Sequence, residues 1–423
     1  MTIRFLFSNT AYNLIFQIVT AVIGISVTTF LFKHVETQQF LSFSYLAIAL
    51  FILNYTNFGV PLITTRSLSR TIKKSNQIDQ RQIQVSFFAS FFICLTLILI
   101  VKVFETYVEI SVFDNKRFFT PLYGLIIFYF IHVHIRSVSD GVGSFGVSRF
   151  VKSYFYIFFF ISAFLTGYYE LSAVYNFFLL ILFASLLVPR LLYQISFSIG
   201  ENFIKEVLEL FRKGLPFLQL AVVSALIGYL DRFLIGFYVS GVVLASILYI
   251  LDIASRQGLI GTAMSNVLLQ FFIVSEKSRS EFVLRIALFL IMIHTVVSVA
   301  AIYFEGDAIL NLLDLGVYKI PVLNAWVGYS LLVFGAIQWQ WIIALSLEKS
   351  WTSFLMVELL ILPFLLYFFL KIDAVFYISV IIYLRACVQI LVADILLERS
   401  FINILLSQLF FLLILVVINT TFI

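Results

Sequence analysis

Runs of about 20 mostly apolar residues recur along the whole chain, each separated from the next by a short polar segment. A helix rises about 1.5 Å per residue, so a run of that length crosses the roughly 30 Å hydrocarbon core of a bilayer. The runs fall at 11–32, 40–61, 84–104, 119–140, 149–168 and 171–193, and again at 215–238, 242–270, 282–304, 321–346, 351–371 and 374–396. A thirteenth, at 401–421, closes the sequence. If it spans, the C-terminus is outside; if it lies flat, the C-terminus stays inside. No water is available in hydrocarbon to satisfy peptide groups, so such runs predict α-helices. Charged residues make up only 12% of the chain and hydrophobic ones 62%. Soluble domains carry about twice that charge, so this composition cannot cover a soluble surface. The 50 phenylalanines add apolar bulk for lipid contact and interhelical packing.

Lysine and arginine set the orientation. With Arg4 and the N-terminus in the cytoplasm, the cytoplasmic segments hold about 18 basic residues and the outer ones about 6. The net charge of +5 is therefore a topology signal and not a nucleic-acid patch. Residues 196–214 form the internal boundary. There Ile204, Val207, Leu208 and Phe211 follow helical spacing, while Lys205, Glu206, Glu209, Arg212 and Lys213 take the other face. This reads as a cytoplasmic amphipathic connector, either interfacial or simply solvated. It joins a six-helix lobe at 1–195 to a second at 215–396, with an extra segment at 397–423. The two lobes are faintly alike: Phe30-Leu31 and Tyr45 in the first answer to Phe233-Leu234 and Tyr249 in the second. Cys94 and Cys387 lie in apolar runs and form neither a disulfide framework nor a metal spacing.

A charge at the bilayer centre costs about 2.5–3.5 kcal/mol on insertion scales, so the charges left in these runs mark partners or wet cavities. Asp231 and Arg232 are adjacent in the seventh run. Asp252 and Arg256 are four apart in the eighth and share a helix face. That pair either neutralises itself, or Asp252 orients Arg256 toward an anion. Arg66 follows the Gly59–Pro61 break, as a headgroup contact or as a snorkelling side chain. His132 and Arg136 share a face as an accessory phosphate contact or a lipid anchor. Glu358 and Arg385 are accessory candidates for lining or bracing a cavity. No zinc-protease, paired-cysteine or P-loop motif is present, and no loop is long enough for a catalytic domain, so no enzyme is expected.

The segment Gly214–Leu220, running on to Tyr229-Leu-Asp-Arg-Phe-Leu-Ile-Gly-Phe237, then Ser240-Gly241 and Ala245–Tyr249, resembles the start of the C-terminal half of Wzx-type polysaccharide flippases. Asn57–Pro61 followed by Arg66, and the polar Asn9, Asn13 and Gln17 of the first run, resemble that family's first half. The resemblance covers nearly the whole length, with loose local motifs. It implies an all-α integral membrane protein of 12 helices, or 13 with the last run, in two six-helix lobes. The implied fold is like that of the multidrug and toxin extruders (MATE), with a central cavity. It also implies transfer of undecaprenyl-pyrophosphate-linked oligosaccharide, an O-antigen repeat unit or a relative, across a bacterial inner membrane. Headgroup contacts would be Arg66, Arg232 and Arg256, with Asp231 and Asp252 orienting them or coupling a proton or sodium gradient. No cofactor is expected. Expected partners are the lipid-linked oligosaccharide, membrane lipids, and the polymerase and chain-length regulator of a glycan pathway.

Three rivals remain. A small-molecule exporter of the same superfamily would want a mid-membrane carboxylate in the first lobe, where the charges are instead basic. An O-antigen polymerase or ligase would want a large outer loop. A scaffold in a glycan assembly complex is compatible with everything above.

Overall fold

The computed structural model describes residues 3–53, 56–75, 78–107, 115–142, 144–169, 171–193, 202–215, 232, 235–236, 239–256, 268, 272, 277–313, 319–344, 350, 353–357, 360–361 and 374–396. Every regular element among them is helical. The chain divides into two compact units, Val22–Leu230 and Met1–Ala21 with Asp231–Ile423. Among the described residues six helices are long and apolar enough to cross a membrane. This is a multi-pass membrane protein.

The first unit is built from α1 (Ile3–His34, from residue 22 onward), α2 (Thr37–Leu53), α3 (Val60–Ser75), α4 (Gln80–Tyr107), α5 (Asn115–Gly141), α6 (Phe145–Tyr168), α7 (Ala173–Ser185), α8 (Val188–Tyr193) and α9, helical over 203–215. α5 is its hub, packing against α2, α3, α4, α6 and α7. The chain from 62 onward, between the apolar runs at 40–61 and 84–104, is most of α3. Asn57 explains the interruption before it. Its side-chain oxygen accepts from the Gly59 amide and its amide donates to the Tyr129 hydroxyl, while Phe58 and Gly59 take positive φ. The turn separates α2 from α3. α3 then lies on α5 through Thr65, whose hydroxyl donates to the Ser137 carbonyl, and through Leu68 against Gly141. α7 and α8 are separated by a short turn at Leu186–Leu187, just before Pro189, a residue suited to the first turn of a new helix.

α9 lies where the amphipathic connector was expected, and its faces differ from the expected division. Phe203, Val207 and Leu210 are buried, whereas Ile204 and Leu208 are 74% and 61% exposed. The helix has two apolar arcs. One docks on α4, where Phe203 packs edge-on to Phe88, Arg81 lies over the Phe203 ring, and the Arg81 guanidinium pairs with Glu206 at 2.8 Å. The other, Ile204 with Leu208 and Leu215, points away from the protein beside Lys205 and Arg212. That arrangement suits a helix lying at a membrane surface.

The described part of the second unit holds α10 (Gly241–Ser255), α11 (Lys277–Leu312), α12 (Lys319–Ala344) and α13 (Ala374–Leu396). Its core runs along α11, α12 and α13 through Leu288, Ile291, Leu331, Ile337, Trp341 and Ile390. α11 is 36 residues long, so Glu305–Leu312, expected in an outer loop, continues the helix. α13 ends as the apolar run does. The final run at 401–421 lies outside the described residues.

Gly214 tests the α9 docking. A β-carbon there would collide with the Phe58 carbonyl oxygen, whereas one at Gly146 meets nothing. Gly214→Ala is expected to cost about 1–3 kcal/mol by overpacking. It should lower the melting temperature in detergent, and Gly146→Ala should leave it within error of wild type.

Candidate functional site

Among the described residues, the charged side chains that are fully buried are Arg149, Arg232 and Arg385. No carboxylate and no lysine joins them. A buried guanidinium keeps its charge because its pKa lies far above neutral, so the surrounding structure must supply acceptors.

In the second unit Arg232 finds them across two helices. Its Nη2 donates to the Tyr329 hydroxyl of α12 at 2.7 Å and to the Leu251 carbonyl of α10 at 3.4 Å. The neighbouring Asp252 carboxylate accepts from Arg256 Nη2 at 2.8 Å, with both side chains largely buried. Arg232, Asp252 and Arg256 thus meet around one stretch of α10. Helical spacing of four brings Asp252 and Arg256 together, and the ion pair removes their net charge from the site. Arg232 is held there by the phenol of Tyr329 and the Leu251 carbonyl. Arg385 is buried on α13. Asp231 and Glu358 lie outside the described residues.

In the first unit Arg66 sits on α3 at intermediate exposure, away from Thr64, Thr65 and Leu68, which bind α4 and α5. His132 is buried, with its ring stacked on Phe155 at 4.3 Å and its Nδ1 against the Tyr129 carbonyl. Arg136 faces Asp140, one turn on. Arg66 and Arg136 therefore lie on α3 and α5, two helices that pack on each other.

A cleft of about 750 Å³, counting its open mouth, lies inside the first unit. It is bounded by the end of α1 and α6 and by the start of α2, α5 and α7. Its polar lining is amide, hydroxyl and guanidinium: Gln39, Ser42, Thr166, Asn176 and Arg117. Phe43 and Phe159 supply aromatic surface. None of the lining residues is acidic. Ser162 donates to Asn176 and the Thr166 hydroxyl donates to the Ser162 carbonyl, so part of the cleft is preset by hydrogen bonds. The sequence alone does not single out these residues, because scattered Ser, Thr and Asn in apolar helices carry no periodic signal.

The sequence matches no protein-family model and no curated protein. Its fold does match solved structures. A mutant of the Vibrio cholerae MATE transporter VcmN aligns with a TM-score of 0.63 at 12% identity, over 91% of this chain and 95% of that one. The MATE multidrug transporter DinF-BH, solved as a complex, gives 0.63 at 13% over 95% and 98%. A MOP superfamily transporter from Pyrococcus furiosus, whose binding pocket is described as of reverse polarity and suggesting a different function, gives 0.56 at 13% over 92% and 93%. The chain therefore has the MATE fold, as its sequence led one to expect.

Removing one partner of a buried ion pair strands the other charge, at about 3–5 kcal/mol. Arg256→Met is expected to destabilise the protein on that scale, and adding Asp252→Leu should restore most of the loss. Thermal unfolding in detergent reads both.

Proposed function

We propose that this protein is a membrane transporter that moves an anionic, lipid-linked oligosaccharide, of the undecaprenyl-pyrophosphate class, from the cytoplasmic to the outer leaflet. The observation that carries this reading is the sign of the buried charged groups of the second unit: Arg232 and Arg385, with no carboxylate among the buried described residues. A cation-exporting site wants the opposite sign. The solved relatives support transport as the use of the fold, and the Pyrococcus furiosus protein shows that its pocket polarity has been reported to differ.

Physical chemistry makes this cargo and fold suit one another. A polyprenyl tail stays in lipid throughout, so the protein need only shelter a pyrophosphate and a glycan. Guanidinium forks match phosphate oxygens. Arg232 and Arg256, on α10 or beside it, would hold the pyrophosphate, Arg256 by exchanging Asp252 for the anion. The amide, hydroxyl and aromatic lining of the first unit's cleft suits sugar hydroxyls and ring faces. Rocking of the two lobes would alternate access. Asp252 is the described group that would couple a proton or sodium gradient. We place the protein in a bacterial inner membrane with its N-terminus in the cytoplasm, working beside a polymerase and a chain-length regulator. Export of a small multidrug-type molecule is the second reading, favoured by the aromatic faces of the cleft and by the likeness to the multidrug transporter DinF-BH.

Purified protein in vesicles carrying a fluorescent polyprenyl-pyrophosphate oligosaccharide tests the proposal. Glycan is scored by its accessibility to an added glycosidase. Wild type should expose the inner pool faster than empty vesicles. Arg232→Ala and Arg256→Ala should each slow it at least about tenfold, the scale of one lost charge-assisted hydrogen bond, with the protein still in the membrane. Wild-type rates in both variants would sink the site assignment.

A further inference from the structure

The end of the first unit where α5 meets α6 holds charge that the transport reading does not use. Val142 and Ser144 close a tight turn there, donating to the Val138 and Ser139 carbonyls at 2.9 and 2.8 Å. Three cations converge on it: Arg136 from the last turns of α5, and Arg149 and Lys152, one turn apart, from the first turns of α6. All three lie within electrostatic reach of one carboxylate, Asp140. The pairing is incomplete. Arg136 Nε stands 3.8 Å from Asp140 Oδ2, beyond hydrogen-bond distance.

Arg149 is 4% exposed, and its Nη1 is buried with no hydrogen-bond partner. The same is true of the hydroxyls of Ser139 and Ser148 and of Asp140 Oδ1. Buried polar atoms of folded proteins are nearly always satisfied. Here a guanidinium and two hydroxyls, all able to donate, are left without acceptors at one turn, beside Arg136 and Lys152. Lys152 and Arg136 are only partly buried and leave the cluster open at its rim.

We propose that this cluster is a binding site for a phosphate-class anion. Arg136, Arg149 and Lys152 gathered about Asp140 form a donor set that matches an anion with several oxygens. Tetrahedral phosphate oxygens offer the several acceptors that a guanidinium fork, an ammonium and two serine hydroxyls require. Asp140 stays on the Arg136 side and, through its free oxygen, accepts a hydrogen bond from a proton-bearing phosphate oxygen. The positive-inside orientation puts the site at the cytoplasmic surface, where both lipid headgroups and soluble phosphates are within reach. The site stands on its own groups, independently of the cargo proposed above, and its test reads binding and not transport.

The test uses the purified full-length protein. Inorganic pyrophosphate is titrated by calorimetry in detergent, with chloride at equal ionic strength as control. Saturable binding by wild type is expected, weakened at least tenfold in Arg149→Gln and in Lys152→Gln and largely kept in Arg149→Lys. Lys152→Gln, at a partly exposed position, guards against misfolding of the buried variant. In a second arm, nanodiscs of neutral lipid are compared with nanodiscs containing phosphatidylglycerol. If only the anionic lipid raises the wild-type melting temperature, and not that of the Gln variants, the phosphate is a headgroup. If neither pyrophosphate nor the lipid separates wild type from both Gln variants, the site is filled by water alone and the proposal is overturned.

Discussion

Hydrocarbon gives a peptide group nothing to hydrogen-bond with, and the rest of this structure is a response to that. Each described element is a helix, and polar side chains inside the helices turn back on their own backbone. The hydroxyls of Thr20, Ser42, Thr166 and Thr295 donate to the carbonyl four residues before. Where hydroxyls and amides do reach across, they fix geometry. Thr64 meets Ser86 between α3 and α4, Asn57 meets Tyr129 between the α2–α3 turn and α5, and Trp326 meets Ser298 between α12 and α11. The turn that makes α3 possible rests on one asparagine and one glycine.

The same constraint sorts the charges. Carboxylates in the described helices sit opposite basic groups: Asp252 with Arg256, Glu105 with Lys102, Asp140 near Arg136. Arginines go further in. Arg232 is accommodated by a phenol and a carbonyl, which accept its hydrogen bonds. Such an arrangement keeps a cation in a low-dielectric place, where its attraction for an anion is strong. A stabilising role alone would be served better by an apolar side chain of similar volume. This asymmetry is why the proposed cargo is anionic.

The described helices α1, α2, α4 to α7 and α10 to α13 fall on apolar runs of the sequence, and the run at 374–396 coincides with α13. Other limits moved for identifiable reasons. Hydropathy marks where hydrocarbon ends and not where a helix ends, so α11 runs on past Phe304 and α6 begins at Phe145, before the apolar stretch starts. That early start puts Arg149 in the second turn of the helix and not at its first residue. The Asp252–Arg256 contact was legible because four-residue spacing is a local rule. Tyr329 as the partner of Arg232 was not, since it lies 97 residues away and nothing local encodes the pairing. In α9 the spacing of apolar residues located the helix, but only the packing against Phe88 separates the docked arc of Phe203 and Val207 from the exposed arc of Ile204 and Leu208.

The central claim is that the buried charge selects an anionic lipid-linked cargo. Native mass spectrometry of the wild-type protein, offered a polyprenyl pyrophosphate and a cationic dye together, measures that selection directly. A bound polyprenyl pyrophosphate that the dye does not displace at equal concentration is expected. Retention of the dye, with the pyrophosphate lipid left free, would contradict it.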